Sequence, residues 1–202
     1  MSLRIEQKSA MSALSFALSC IILCLLHQVS EAQVKMPGQC QNVTVEQNFD
    51  VSKYVGLWYE QKRYHSIFEH NSKCVTATYT QNENGTVGVR NAHVNSTTDE
   101  AGFIEGYAEI DSTTGEGKLL VYFPSVMGNR AGKYWVLKTD YTSFSVVWSC
   151  TQVSPVMNIQ MAWILTRERT PSEVTLQEAQ AIADLNHLKN EEFIIADQTN
   201  CL

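Results

Sequence analysis

Gly56-Leu57-Trp58-Tyr59 carries the strongest structural signal in this chain, because two further motifs follow it in a fixed order. The second motif is Thr139-Asp140-Tyr141, and the third is Ala162-Trp163-Ile164-Leu165-Thr166-Arg167. Each motif alone is common at the ends of strands, but the ordered triplet is a specific signal. A guanidinium can stack flat on an indole while its other donors bond backbone carbonyls, which a lysine ammonium cannot do with the same geometry.

The residues between these motifs form short alternating segments separated by Gly, Asn, Asp and Ser. Neighbouring side chains in a strand point to opposite faces, so alternation indicates strands that are buried on one side. Eight such segments predict an up-and-down antiparallel barrel. They are residues 57–65, 74–80, 86–94, 102–110, 118–124, 133–139, 144–152 and 159–167. Asn84-Gly85 is typical of a hairpin turn.

The ordered motifs resemble the signature of the lipocalins. Three segments make the chain most similar to the group of apolipoprotein D, insect bilin-binding protein and Lazarillo: Asn48-Phe49-Asp50-Val51-Ser52-Lys53-Tyr54, Phe103-Ile104-Glu105-Gly106 and Trp148-Ser149-Cys150. The resemblance implies an all-β, eight-stranded antiparallel up-and-down barrel. It also implies that Arg167 lies on Trp58 and seals one end, with residues 66–73 forming a large loop across the other. Because a barrel of about eight strands is filled by side chains or holds one small ligand, we expect binding rather than catalysis.

One C-terminal helix is predicted after the barrel. Thr170 supplies a capping residue, Pro171 the first helical position and Glu173 the acidic residue three positions after the cap. The predicted apolar stripe, which would pack outside the barrel, consists of Val174, Ala181, Ile182, Leu185 and Leu188. Residues 193–195 predict one more short strand.

Residues 1–32 have the features of a secretory signal peptide. Arg4 and Lys8 precede an apolar run over residues 13–26, and Ser30-Glu31-Ala32 offers small residues for cleavage. The run is shorter than the ~20 apolar residues that a membrane-spanning helix needs. We therefore expect a secreted, extracellular protein with a single lipocalin domain over residues 33–202. No apolar segment follows Cys201, so a freely soluble rather than lipid-anchored protein is expected.

The net charge of the chain is −6, from 15 basic and 21 acidic residues. An acidic chain argues against a nucleic-acid partner, because phosphate binding needs a basic surface. The sequence shows no paired carboxylates, metal-ligand spacing or phosphate loop that would support catalysis. We therefore expect no metal and no cofactor other than a bound bilin or lipid.

Four cysteines follow the leader: Cys40, Cys74, Cys150 and Cys201. An even number in an oxidising compartment implies two disulfides, and four cysteines allow three pairings. The resemblance implies that Cys40 pairs with Cys150 and that Cys74 pairs with Cys201.

Three sequons predict surface N-glycosylation at Asn42, Asn84 and Asn95. The expected partners are a small hydrophobic ligand, a peripheral contact with lipid or lipoprotein, and a cell-surface receptor.

Strand alternation together with the resemblance predicts the apolar wall of a cavity. Its members are Tyr79, Phe123, Trp135, Leu137, Trp163 and Leu165. Gly106 and Ala108, also on inward positions, leave room inside. Such a wall suits an apolar ligand with one or two polar ends. Aromatic residues are usually core, so the alternative is a barrel filled by these side chains. The resemblance favours the cavity.

Three polar residues are predicted to face the same interior. Asn91 and His93 match an Asn-x-His motif in an insect bilin-binding protein, and Glu60 matches another inward position there. A buried carboxylate needs a partner. Three groups are candidates for this partner: Lys62, His93 or an N–H of the ligand. In a regular strand Lys62 would face the same side as Glu60, and a bulge between them would turn Lys62 to the other side.

The leading functional interpretation is a secreted carrier of one fatty acid, retinoid or sterol-like molecule, with a role in lipid handling. The alternative is a carrier of a biliverdin-type tetrapyrrole pigment, which Glu60, Asn91 and His93 suggest. An isomerase with a cavity thiol would need a cysteine that is free of disulfides. Met127 in the loop after Phe123 is a candidate for oxidant scavenging, or for an apolar contact with lipid.

Overall fold

The described part of the chain is built mainly from β-strands. The computed structural model describes residues 33–66, 69–111 and 113–201, so the predicted signal peptide lies outside the described residues. The strands are β1 (Val34–Pro37), β2 (Gly56–Tyr64), β3 (Ser72–Gln81), β4 (Val87–Asn95), β5 (Ala101–Ile110), β6 (Lys118–Tyr122), β7 (Ala131–Thr139), β8 (Phe144–Ser154), β9 (Met157–Thr166) and β10 (Phe193–Ile195). The helices are α1 (Val51–Tyr54), α2 (Pro124–Met127) and α3 (Glu173–Leu185), with a 3₁₀ turn at Asn190–Glu192.

Strands β2 to β9 close into an antiparallel barrel. Each strand pairs with the next, and β9 pairs back with β2 between the Tyr59–Thr166 and Arg63–Trp163 partners. The expected eight-stranded up-and-down barrel is therefore confirmed, and the predicted strands agree with β2 to β9 within a few residues. The short strand predicted over residues 193–195 is β10.

The two ends of the barrel differ. At the sealed end lie α1, the start of β2 and the end of β9. At the other end lie the mouth loops, residues 65–66, 69–71, 96–100, 123–130 and 155–156. Near the mouth, β1 pairs with residues 157–160 of β9, which lie outside the stretch of β9 that pairs with β2. There β10 pairs with the last residues of β2, beyond the stretch that pairs with β3.

Helix α3 follows the barrel as predicted, but its start and its buried face differ from the prediction. Ser172, not Thr170, is the capping residue, and its side chain accepts a hydrogen bond from the Thr175 backbone N–H. Ala179 and Ala183 are the fully buried positions, whereas Leu185 is 71% exposed. The small side chains of Ala179 and Ala183 let the helix lie close to the barrel wall, and Ile182 and Leu188 of the predicted stripe also pack there. The predicted stripe was wrong at the exposed positions Val174, Ala181 and Leu185.

Two apolar clusters lie on opposite sides of the barrel wall. The inner cluster includes Trp58, Tyr79 and Leu165, and the outer cluster fills the space under α3 and beside β1. Both expected disulfides are present. Cys40–Cys150 fastens the segment after β1 to β8, and Cys74–Cys201 fastens the segment after β10 to β3.

Candidate functional site: the barrel interior

Arg167 and Trp58 seal one end of the barrel. The guanidinium carbon of Arg167 lies 3.7 Å from the centroid of the Trp58 ring. Its nitrogens donate hydrogen bonds of 2.9 to 3.2 Å to five backbone carbonyls, those of Lys53, Tyr54, Val55, Leu57 and Tyr141. The Trp58 Nε1–H donates to the Tyr54 carbonyl at 2.8 Å. The predicted stacking of these two residues is confirmed.

The Thr139-Asp140-Tyr141 motif shapes the turn that receives Arg167. The Asp140 carboxylate accepts hydrogen bonds from the backbone N–H groups of Thr142, Ser143 and Phe144. Desolvation raises the pKa of Asp140, but these hydrogen bonds and that of the Ser143 hydroxyl outweigh it and leave the pKa below its usual value. The turn is therefore held by an ionised side chain, and the Tyr141 carbonyl is free to accept from Arg167.

A chain of buried hydroxyl groups lies above the seal. The Tyr134 hydroxyl lies 2.7 Å from that of Tyr79 and 3.0 Å from that of Tyr54, which also contacts the Ser145 hydroxyl at 2.9 Å. Burial raises the pKa of Tyr54 to about 12 and raises the pKa of Tyr79 and Tyr134 well above the usual value. These phenols therefore stay neutral and act as hydrogen-bonding groups of the floor. Sequence reasoning identified Tyr79 but missed Tyr54 and Tyr134.

An ion-paired cluster lies on the inner face of β2. The Arg63 guanidinium donates to Glu60 Oε1 at 2.6 Å, and its Nε lies 3.7 Å from Glu69 Oε2. Arg63 Nη2 also donates to the Glu69 carbonyl at 3.0 Å. The Trp163 indole N–H lies 3.5 Å from Glu69 Oε2. These contacts tie the loop that carries Glu69, at the mouth, to two strands of the wall.

A bulge in β2 decides which cation meets Glu60. The pairing of β2 with β9 shifts between Glu60 and Lys62, so the strand parity reverses there. Lys62 points outward and donates to Gln180 of α3 at 2.7 Å, while Arg63 turns inward. Glu60 is buried as predicted, but Lys62 as its partner was wrong for this reason.

Burial dominates the electrostatics of this cluster. Desolvation raises the pKa of Glu60 well above its usual value, the neighbouring Glu69 raises it further, and Arg63 opposes both effects. Burial also raises the pKa of Glu69, against the attraction of Arg63. One guanidinium is thus the cationic partner of two buried carboxyl groups. These carboxyl groups remain protonated to a higher pH than exposed carboxyl groups do.

Asn91 and His93 lie on the inner side of β4, in phase with Val87 and Val89 of the inner cluster. The Asn91 Oδ1 is buried and has no hydrogen-bond partner among the described residues. The His93 ring lies over Gly102 of β5, where an added Cβ would come within 2.9 Å of its Cε1 and Nε2 atoms.

Trp163, Leu165, Phe123 and Tyr79 belong to the inner cluster, as predicted. Leu165 and Tyr79 are buried, whereas Trp163 and Phe123 keep more accessible surface. Gly106 does not leave open space, because an added Cβ would meet the Tyr122 carbonyl and the Phe123 ring.

The prediction of Trp135 and Leu137 as cavity residues was wrong. Both belong to the outer cluster, and their neighbours Tyr134 and Val136 face the interior. The Trp135 ring packs against Trp148 with 5.8 Å between centroids. Strand β7 is covered on both faces, so its apolar residues do not alternate with polar ones and the sequence pattern does not identify the inner face.

The floor of the interior contains a small apolar void of about 10 Å³, bordered by Tyr54, Tyr79, Leu119 and Tyr134 among others. Inward residues nearer the mouth, such as Asn91, His93 and Ile104, keep accessible surface. At the mouth, Val126, Val153 and Val156 are 58%, 50% and 75% exposed, while Met127 is half-buried.

Within the described ranges, no helix has the length and hydropathy to span a membrane, and no group of three or more metal-ligating side chains is found. Both disulfides use cysteines that the isomerase hypothesis would need, so none of Cys40, Cys74, Cys150 and Cys201 is a free thiol.

The family follows from a sequence comparison. The family model described as a lipocalin-like domain matches residues 49–197, which include the seal, the barrel and α3. The chain belongs to the lipocalin family. Among lipocalins, it is 35% identical over 174 residues to apolipoprotein D of Cavia porcellus, covering 85% of this chain and 89% of that relative. It is 36% identical over 141 residues to the Lazarillo protein of Schistocerca americana, covering 68% of this chain and 64% of that protein.

A solved lipocalin structure agrees with this assignment. Insecticyanin from the tobacco hornworm Manduca sexta superposes with a TM-score of 0.72 and 26% sequence identity, covering 82% of this chain and 89% of insecticyanin. Lipocalins bind small hydrophobic ligands and are generally carriers rather than enzymes. The barrel interior is thus the part of this lipocalin where a ligand is expected.

Proposed function

We propose that this protein is a secreted carrier that holds one small hydrophobic molecule inside the barrel. The observation that carries the proposal is the combination of one sealed end with an inner wall of aromatic and aliphatic side chains. Affinity would come from apolar burial, at about 25 cal/mol per Å² of apolar surface, less the cost of ordering the ligand and the mouth loops. Two disulfides and similarity to apolipoprotein D support the extracellular location.

The polar groups of the interior indicate what the ligand carries besides apolar surface. The Asn91 Oδ1 lacks a donor among the residues that the structure describes. An unmet buried acceptor costs about 1–3 kcal/mol, so a ligand hydroxyl or N–H that bonds it would gain affinity. We therefore propose a mainly apolar ligand, such as a fatty acid, retinoid or sterol, whose polar end approaches Asn91, His93 and the Glu60–Arg63 pair.

The primary test is to identify the bound molecule. The full chain is expressed with its leader in an animal cell line, purified from the medium under native conditions and extracted with organic solvent. Mass spectrometry of the extract is expected to find one class of hydrophobic molecule in near-equimolar amount. Protein retained inside the cells, or an extract with no enriched molecule, would contradict the proposal.

A matched pair of tryptophans tests the location of the site. Trp163 belongs to the inner cluster and Trp135 to the outer cluster, and both are half-buried. Trp163→Leu should weaken binding of the extracted ligand about tenfold, since losing part of one aromatic contact removes about 1.4 kcal/mol. Trp135→Leu should leave the Kd unchanged. Equal effects in a titration of delipidated protein would place the ligand elsewhere.

A bilin carrier is the second candidate. Its support is the set Glu60, Asn91 and His93, together with the similarity to insecticyanin. Glu60 is already ion-paired with Arg63, so a bilin N–H would have to share that carboxylate or bond Asn91 instead. Colour separates the two candidates: strong visible absorbance of the secreted protein that is lost on extraction supports a pigment, and a colourless protein supports a lipid.

Contact with a lipid surface through the mouth loops is a further part of the proposal. Val126 and Val156 project from two different mouth loops and are mostly exposed. The double substitution Val126→Asp and Val156→Asp should reduce co-flotation with phosphatidylcholine vesicles, whereas Val174→Asp on α3, also exposed, should not.

Oxidant scavenging by Met127 is tested by mass spectrometry after treatment with a lipid hydroperoxide. An unmodified Met127 would count against that role.

A further inference from the structure

A second concave surface lies on the outside of the barrel, away from the ligand site proposed above. It has a volume of about 280 Å³, and its lining includes Asn42, Lys118, Lys133, Trp135 and Trp148 as well as the Cys40–Cys150 disulfide. We call it the outer groove. We propose that an N-glycan attached to Asn42 seats its first sugar in the outer groove, against Trp135.

Asn42 is both the start of a sequon and part of the groove lining. Its side chain is exposed, as transfer of a glycan requires. In that transfer the Asn42 Nδ2 loses one proton and forms a bond to the anomeric carbon of the first N-acetylglucosamine of a lipid-linked oligosaccharide. The bond between that carbon and the diphosphate oxygen of the lipid breaks, and the lipid diphosphate leaves with the electron pair. The first sugar is then held at the groove by a covalent bond, so it pays little further entropy to settle there. The proposal requires passage through the secretory pathway, which the appearance of the protein in the medium tests separately.

The Trp135 indole N–H is a hydrogen-bond donor for which a sugar would supply the acceptor. The chain has four tryptophans, and three have an acceptor for Nε1–H: Trp58 uses the Tyr54 carbonyl, Trp148 uses Gln160 and Trp163 uses Glu69. The Trp135 Nε1 is buried and has no acceptor among the described residues. Buried indole N–H groups usually have a partner, and a sugar carries several hydroxyl and amide oxygens that accept hydrogen bonds.

The size and polarity of the groove also fit a monosaccharide unit. Its volume lies near the lower end of the ~300–1,000 Å³ range of ligand pockets, which is enough for one sugar but not for a branched glycan. The ammonium groups of Lys118 and Lys133 lie 5.1 and 5.3 Å from the centroid of the Trp135 ring. They supply donors for sugar hydroxyl oxygens beside an apolar aromatic surface.

The other two sequons lie in different surroundings. Asn84 and Asn95 belong to the turns at the two ends of β4, and each side chain accepts a hydrogen bond from a backbone N–H of its own turn. Neither residue lines the outer groove. Glycans at these turns should therefore project into solvent, and they provide internal controls.

The test compares two threonine substitutions that each remove one sequon. Thr44→Ala removes the Asn42 sequon and Thr97→Ala removes the Asn95 sequon, and both threonines are exposed. Thr44→Ser keeps the Asn42 sequon and serves as the rescue variant. The full chain is secreted from an animal cell line, glycan occupancy is measured by glycopeptide mass spectrometry, and the accessibility of Trp135 is measured by hydroxyl-radical footprinting.

We expect Asn42 to be occupied in the unsubstituted protein and in Thr44→Ser. In Thr44→Ala, oxidation of Trp135 should rise severalfold, and the melting temperature should fall by about 2–4 °C, the shift that one hydrogen bond gives a domain of this size. Thr97→Ala should change neither quantity. Enzymatic removal of the whole glycans, including the first sugar, from the folded, unsubstituted protein should reproduce the rise in Trp135 oxidation. An unoccupied Asn42, or equal Trp135 oxidation with and without its glycan, would overturn the proposal.

Discussion

At the scale of single residues, the seal of the barrel explains why Gly56 precedes Trp58 in the first motif. Gly56 has a φ of +100°, and an added Cβ would lie 3.2 Å from Arg167 Nη1. A larger residue would therefore be strained in its backbone and would crowd the guanidinium. Three motifs that are distant in sequence meet because one planar cation needs an aromatic face and several carbonyls at once.

Replacing Arg167 by Lys should destabilise the protein much more than the same change at Arg169. Arg169 also stacks on an aromatic ring, that of Tyr59, but among the described residues its guanidinium donates a hydrogen bond to Gln198 alone. An ammonium cannot reproduce the five carbonyl bonds of Arg167, so we expect a loss of about 2–4 kcal/mol in the free energy of unfolding, against about 1 kcal/mol or less for Arg169→Lys. Urea denaturation measures both. Similar losses in the two variants would show that stacking alone stabilises the seal.

At the scale of elements, the sequence predicts the inner face of a strand well where the other face is exposed to solvent. It predicts that face poorly where the strand contains a bulge or is buried on both faces. In β5, Ile104 and Ala108 alternate with Glu105 and Glu109, and Ala108 is buried as expected. In β7 both faces are apolar, so the inner residue Tyr134 was missed. The bulge of β2 leaves no mark in the alternation, so Arg63 was missed too, and Glu69 lies in a loop where no periodicity applies.

The bulge gives a direct comparison between two neighbouring cations of β2. Arg63→Met would leave Glu60 and Glu69 buried without their shared partner, and we expect a loss of about 3–5 kcal/mol near neutral pH. Lys62→Met removes a hydrogen bond to Gln180 on the outer side and should cost about 1 kcal/mol.

The loss in Arg63→Met should depend on pH in a defined direction. Without the guanidinium, the folded-state pKa of both carboxyl groups lies further above the unfolded value. Such groups bind protons more tightly in the folded state, so stability rises as the pH falls from the folded pKa towards the unfolded one. Denaturation at about pH 7 and about pH 5 should show a smaller deficit at the lower pH. A deficit that grows in acid would contradict the assignment of Arg63 as the partner of both carboxyl groups.

At the scale of the whole molecule, the disulfides hold the segments outside the barrel onto its wall. Cys40–Cys150 closes a sequence separation of 110 residues and Cys74–Cys201 one of 127. Gln198, near the second disulfide, donates to the carbonyls of Glu60 and Val75, so the segment after β10 bridges β2 and β3 where these strands separate. The resemblance gave both pairings correctly, whereas cysteine spacing alone left three possibilities.

Removing either disulfide should cost a similar amount of stability. In the chain-entropy account, loops of these two lengths are each worth about 5 kcal/mol. We expect the variants Cys40→Ala with Cys150→Ala and Cys74→Ala with Cys201→Ala to unfold in calorimetry with losses that agree within about 1 kcal/mol. A much larger loss for one pair would show that local packing, rather than loop entropy, dominates its contribution.

The opposite positions of two hairpins have a practical consequence for biosensors. The turn between β3 and β4 lies beside the Arg167–Trp58 seal, and the turn between β4 and β5 lies at the open rim. A linker attached at residues 82–86 would anchor the protein to a chip with its entrance facing the flowing sample. A linker at residues 96–100 would turn the entrance towards the support and slow the arrival of any analyte.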